Sequence, residues 1–118
     1  MTDVTDSPSA HPPLTTVESI EVDRASHVSI TFGDGVTGRF ELAELRLACP
    51  CAECDGRRQQ GRDVAPALAA GQVVTVTAAE LAGAFGLDLD WSDGHRTGIY
   101  GWAHLREALD AGHLGSRI

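Results

Sequence analysis

The chain has 118 residues and 12.4 kDa, and its 9 basic side chains stand against 17 acidic ones for a formal charge of −8. Every basic residue is an arginine. One domain of ordinary size fits this length, whereas a TIM barrel, a kinase or a stand-alone dinucleotide-binding dehydrogenase does not. An acidic chain is poorly suited to wrapping nucleic acid or docking on anionic lipid, because both require clustered positive charge.

No apolar run approaches the roughly 20 residues that span a bilayer, and the N-terminus lacks the basic-then-apolar order of a signal peptide. The expectation is a soluble, cytoplasmic protein with neither a membrane nor a nucleic-acid partner. No glycine-rich phosphate loop occurs, and no His is followed two positions later by Asp or Glu.

Residues 1–16 read as a disordered tail: Pro8, Pro12 and Pro13 stand among Ser, Thr and Asp with little to bury. Residues 17–118 then form one folded domain. Ile20 and Val22 alternate with Glu21 and Asp23, and Val28, Ile30 and Phe32 alternate with Ser29 and Thr31. Gly33-Asp34-Gly35 supplies a turn, residues 36–40 return as a strand, and residues 41–47 make a short helix with Leu42 and Leu45 on one side. Residues 55–72 read as an exposed, arginine-bearing loop.

Val74 and Val76 open the second half. Phe85, Leu87, Leu89 and Trp91 then alternate with Asp88 and Asp90, which predicts the first four buried and the two carboxylates exposed. Thr77-Ala78-Ala79-Glu80 matches a helix-capping box, but its place between two strand-like runs, with Gly83 as a hairpin residue, argues for strand. Ser92-Asp93-Gly94 turns the chain and residues 97–100 return. Trp102, Leu105 and Leu109 then mark a helix that ends near Gly112.

The halves repeat one another. Aligning residues 30–46 with 89–106, with one extra residue near His95, pairs seven identities in seventeen positions: Asp34/Asp93, Gly35/Gly94, Thr37/Thr97, Gly38/Gly98, Ala43/Ala103, Leu45/Leu105 and Arg46/Arg106. The expected fold is therefore α+β: a mostly antiparallel sheet of about six strands with two short helices, built from two similar hairpin–helix units.

Cys49, Cys51 and Cys54 are the only cysteines. An odd number in a cytoplasmic chain argues against a disulfide framework. Three thiolates so close in sequence can converge on one soft cation, with a fourth ligand still needed for a tetrahedron. Spacing alone leaves that ligand open among His11, His27, His95, His104 and His113, with Asp55 and Asp93 as carboxylate alternatives. Arg46, Arg57, Arg58 and Arg96 are candidate donors to sulfur.

The run LRLACPCAEC, followed about 40 residues later by WSDGHRTGIYGW and then Leu-Arg, resembles the gamma-butyrobetaine hydroxylase-like N-terminal domain family over residues 17–111. That small domain is found alone in bacteria, ahead of the Fe(II)/2-oxoglutarate oxygenase domain of the carnitine-pathway hydroxylases, and fused to Mrp-type ATPases that carry iron–sulfur clusters. The resemblance implies one structural zinc ion per chain, held by Cys49, Cys51, Cys54 and His95. Gly101 stands where relatives often carry a capping Thr or Ser. Gly83-Ala84-Phe85 stands where they often have Gly-Asn-Tyr.

The oxygenase activity does not carry over, since it belongs to a separate domain whose metal triad this chain lacks. The resulting expectation is a non-catalytic zinc-binding module acting as an adapter. Its protein partner would be a metabolic oxygenase or an Mrp-type iron–sulfur carrier, and the chain itself a monomer or homodimer. The alternative is an accessory protein of an oxidoreductase or of iron–sulfur assembly, with redox-responsive thiolates.

Overall fold

The computed structural model describes residues 16–96 and 98–118. The expected tail and His11 lie outside the described residues. Two three-stranded meanders, each followed by a helix, make up the frame. The first comprises β1 (Val17–Asp23), β2 (His27–Phe32), β3 (Thr37–Glu41) and α1 (Leu42–Leu47). After α2 (Ala52–Gln59) and α3 (Pro66–Ala69), the second comprises β4 (Val76–Ala82), β5 (Gly86–Trp91), β6 (Gly98–Gly101) and α4 (Trp102–Asp110). A last short strand, β7 (Ser116–Arg117), pairs antiparallel with β3, so the sheets are ordered β1-β2-β3-β7 and β4-β5-β6.

This is the expected antiparallel α+β architecture, with α2, α3 and β7 in addition. Residues 55–72 are thus not simply a loop. α2 escapes detection because it has no apolar stripe, and Cys54 is its only buried residue. Local contacts hold it instead: the Cys51 sulfur accepts the Cys54 amide, and Arg58 donates to the carbonyls of Leu47 and Cys49 at 2.6 and 2.7 Å. α3 does carry a sequence signal, Pro66 in its first turn.

The repeat extends further than the sequence shows. β1 and β4 each have 7 residues, and each pairing carries a register shift near its start, between Val17 and Ser19 and between Val76 and Ala78. Backbone bonds repeat as well. Phe32 N–H donates to Val36 and Trp91 N–H to His95, while Gly35 N–H donates to Phe32 and Gly94 N–H to Trp91. Gly35 and Gly94 share φ 90°, a left-handed turn conformation that favours glycine. Leu42 N–H, at the start of α1, donates to Ser26, and Trp102 N–H, at the start of α4, donates to Phe85. That last bond satisfies an amide at the α4 end, where Gly101 offers no side-chain cap.

Both meanders turn one face inward. Val28, Ile30, Phe32 and Phe40 from the first share a core with Leu87, Leu89, Trp91 and Tyr100 from the second, as period-two alternation dictates. Phe85 does not join them and is 68 % exposed. It lies in the turn that follows Ala82, where the backbone has left the pleat, and its ring rests against Gly83. Strand periodicity therefore starts one residue later, at Gly86. Asp88 and Asp90 are half-buried rather than exposed, because neighbouring strands flank β5 on both sides.

Each helix arginine crosses to the turn of the other meander. Arg46 on α1 pairs with Asp93 at 2.9 Å, and Arg106 on α4 pairs with Asp34 through two bonds of 2.9 and 2.8 Å. The hydrogen bonds from Arg106 hold the Asp34 carboxyl at about 2, well below the ordinary carboxylate value. A depressed folded-state value means that the stabilisation is complete above the unfolded-state value, about pH 4, and is lost as pH falls towards 2. We expect NMR titration to place Asp34 near 2 in the wild type and to return it towards about 4 in Arg106→Met.

Candidate metal centre

α1 ends at Leu47, and the chain enters the Cys-Pro-Cys run directly beneath β6. Cys49 is fully buried and Cys54 nearly so, whereas Cys51 and His95 are half-buried. The ligand atoms of these four residues all lie within 4.8 Å of one another. His95 Nε2 is 3.1 Å from the Cys49 sulfur and 3.5 Å from each of the other two. Three sulfurs and an imidazole nitrogen gathered in this way could hold one metal ion, and no other such cluster occurs among the described residues.

Local structure aims each ligand. Cys51 begins α2 with its sulfur turned inward to accept the Cys54 amide at 3.4 Å, which places both sulfurs of the Cys-X-X-Cys on one side of the first turn. His95 sits after the Asp93-Gly94 turn. Its carbonyl accepts Trp91 N–H, and its own N–H donates to Asp93 Oδ1 at 3.1 Å. Gly98 on β6 lets the Cys49 sulfur approach the strand, since a Cβ there would lie 2.8 Å from it. Tyr100 closes the inner side, with its hydroxyl donating to the Leu45 carbonyl at 2.6 Å.

Burial pushes the Cys49 thiol up to about 12, with the neighbouring sulfurs adding to the effect. Ionising it at neutral pH therefore calls for a cation at the cluster. Arg46 supplies one positive charge nearby, its Nη1 lying 3.6 Å from the Cys54 sulfur. Of the other arginines proposed from sequence, Arg58 binds carbonyls, Arg57 binds the Asp63 carbonyl and Glu53, and Arg96 lies 3.6 Å from Asp90.

The alternative fourth ligands are engaged or placed elsewhere. Asp93 pairs with Arg46, Asp55 accepts from Gln59, His27 contacts Ser26, and His104 and His113 are exposed. Sequence reasoning overlooked two contributors, Asp93 as a brace and Gly98 as the clearance for sulfur. In the sequence, Asp93 reads as a turn residue of the repeat and a possible ligand, and Gly98 as an element of the repeat.

With this geometry in view, similarity to known proteins can be weighed. The profile of the family described as gamma-butyrobetaine hydroxylase-like, N-terminal, matches residues 20–106. The chain belongs to that family. Among solved structures, it is similar to a protein of unknown function of the DUF971 family from Acidithiobacillus ferrooxidans, at 28 % identity and a TM-score of 0.62, covering 82 % of this chain and 96 % of that one. A protein structure determined by NMR in solution matches with a TM-score of 0.62 at 24 % identity, over 92 % of this chain and 77 % of that one, a likeness of fold alone. A second NMR structure matches with a TM-score of 0.54 at 28 % identity, over 79 % of this chain and 71 % of that one. No curated protein matches the chain.

Gly98→Ala tests the clearance beneath β6. The added methyl meets the Cys49 sulfur at 2.8 Å, so we expect a stability loss of about 1–3 kcal/mol together with weaker metal uptake, read by thermal melting and chelator competition.

Proposed function

We propose that the domain is a non-catalytic zinc module that presents a folded surface to a protein partner. The observation that carries this reading is the clustering of four protein ligands, three sulfurs and one nitrogen, within 4.8 Å. Zinc favours this donor set. Sulfurs at about 2.3 Å and a nitrogen at about 2.0–2.1 Å from one ion, at tetrahedral angles, lie about 3.6 Å apart. The nitrogen–sulfur separations of 3.1, 3.5 and 3.5 Å need little adjustment to meet that value. Cys49, Cys51, Cys54 and His95 would hold the ion, which would act as a structural cross-link. Four protein ligands leave no position for water or substrate.

The adapter part of the reading draws on the second meander. Leu81, Phe85 and Ile99 are 65 %, 68 % and 47 % exposed there, whereas the first meander exposes no large apolar side chain on its strands. Exposed apolar groups of this size are common at protein contacts. Partners of the kind expected from the family, a metabolic oxygenase or an Mrp-type iron–sulfur carrier, belong to this proposal.

One observation favours a second reading, redox-responsive thiolates. A cavity of about 330 Å³ opens beside the cluster and is lined by Cys54 and His95 together with Arg46, Arg57 and Asp93. A small oxidant could reach sulfur through it.

Metal analysis of the purified protein should find one zinc per chain, and His95→Ala should lose it. Cys51→Ser and chelator treatment should each lower the melting temperature strongly, because the binding free energy of a structural zinc, on the order of 10 kcal/mol, is folding free energy. Uptake should release protons, and affinity should decline as pH falls, because protons compete with the ion for its ligands. Identical melting of wild type, mutant and chelated samples would refute the structural zinc. Zinc release by mild peroxide would favour the second reading.

A further inference from the structure

The two arginines exchanged between the halves occupy equivalent places but face different acceptors. Arg106 is surrounded by carboxylates: both oxygens of Asp34, and both oxygens of Asp110 at 3.1 and 3.0 Å. Arg46 has the corresponding turn carboxylate, Asp93. Arg106 gives Nη1 and Nη2 to the turn carboxylate and Nε to Asp110, whereas Arg46 gives Nε to the turn carboxylate and turns Nη1 to the Cys54 sulfur at 3.6 Å and Nη2 to the Val64 carbonyl at 3.3 Å. Asp93 continues the chain of contacts: Oδ2 receives Arg46 and Oδ1 receives the backbone N–H of His95. One guanidinium thus touches the segment that carries Cys54 and, through one carboxylate, the turn that carries His95. In the other half the same framework ends on Val36, whose N–H donates to Asp34 Oδ1 at 3.3 Å and which offers no ligand.

Burial makes the arrangement consequential. The Arg46 and Asp93 side chains are 4 % and 10 % exposed, although the Asp93 backbone lies in an exposed turn. Little water screens the charge that Arg46 presents to sulfur. Three thiolates and a divalent ion sum to −1, and a fixed cation against one sulfur offsets that excess.

We propose that Arg46 is the positioning residue of the metal centre: with Asp93 it fixes the Cys54 sulfur and the His95 turn relative to one another, turning to metal binding an ion pair that in the other half is structural only. This inference rests on the reading of the cluster as a metal site. Loss of Arg46 would loosen two of the four ligands and leave the sulfurs without their neighbouring cation. Loss of Arg106 would weaken the fold and leave the ligands in place.

The matched halves supply the control. Arg46→Met/Asp93→Asn and Arg106→Met/Asp34→Asn remove equivalent pairs, and each asparagine keeps an acceptor for the turn amide. The probe is Co²⁺ added to the metal-free full-length chain, followed by sulfur-to-cobalt absorption and by chelator competition. The expected result is a Co²⁺ affinity about 10- to 100-fold weaker and an altered absorption band for the Arg46 pair, with wild-type affinity and spectrum for the Arg106 pair even where its melting temperature falls as far. Arg46→Lys, which keeps the charge, should fold and bind with intermediate affinity, and it serves as the test if the double variant does not fold. Wild-type affinity and spectrum in the folded Arg46 variants, or equal weakening in both pairs, would overturn the inference while leaving the metal site standing. Failure of the wild type to bind Co²⁺ or Zn²⁺ would overturn the metal reading and this inference with it.

Discussion

Two buried guanidinium groups, each grown on the helix of one half and anchored in the turn of the other, decide how the halves meet. Among the described residues, Arg46 and Arg106 are the only charged side chains that are buried, 4 % and 6 % exposed. A buried charge left without its partner is strongly destabilising, so neither meander can swing away without stranding an arginine or its aspartate. The pairing also fixes the direction in which α1 delivers the chain. Once Arg46 is held by Asp93, the residues that follow it must pass beneath β6, and Cys49 arrives against Gly98. The gathering of the four candidate ligands is a consequence of how the halves dock as much as of their own placement.

The same docking explains why the candidate ligands gather at only one of the two equivalent contacts between the halves. Gly98 makes room for the Cys49 sulfur, and its counterpart Gly38 makes room for Leu109, each clearance being 2.8 Å from a hypothetical Cβ. At the two equivalent positions, then, one half fills the space with a leucine and the other with a sulfur. His95 likewise faces the cluster where the first half has Val36, which is half-buried against the core. A leucine and a valine close their site by apolar burial, worth about 1.5–3 kcal/mol per side chain. A cysteine and a histidine at the same places leave a polar cluster that burial alone does not satisfy.

Much of this was legible in the sequence, for identifiable reasons. Alternation from Val28 to Phe32 and from Leu87 to Trp91 gave the core strands, because one buried face leaves a period of two. Asp-Gly turns at Asp34 and Asp93 gave the hairpins, and the shared Leu-Arg ending gave the repeat. The gathering of Cys49, Cys51, Cys54 and His95 followed from family resemblance, since spacing alone left the histidine open. What stayed hidden depended on tertiary partners. The exchange of arginines cannot be read locally, because Arg46 and Asp93 are 47 positions apart and Arg106 and Asp34 are 72 apart. α2 has no amphipathic pattern, and Phe85 mimics a strand residue until the turn is seen. The match of β1 to β4 is also hidden, since only their length and bulge, and few of their side chains, agree.

The asymmetry between the two docking sites bears on the metal cross-link proposed for the domain. A metal that joined residue 54 to residue 95 would close a loop of about 40 residues, and the entropy it would remove from the unfolded chain is greater for a long loop than for a short one. Against the first meander, Leu109 and Arg106 from α4 fill their places from the chain alone. Against the second meander, the buried Cys49 thiol, the Cys54 sulfur beside Arg46 and the imidazole of His95 meet instead. The α1–α2 connection has little other support, since α2 buries only Cys54 and relies on Arg58 for its attachment to the end of α1. On the proposed reading, loss of the ion should loosen α2 and the His95 turn, which carry Cys51, Cys54 and His95, before it disturbs the β1–β2–β3 meander, which carries none of the four ligands.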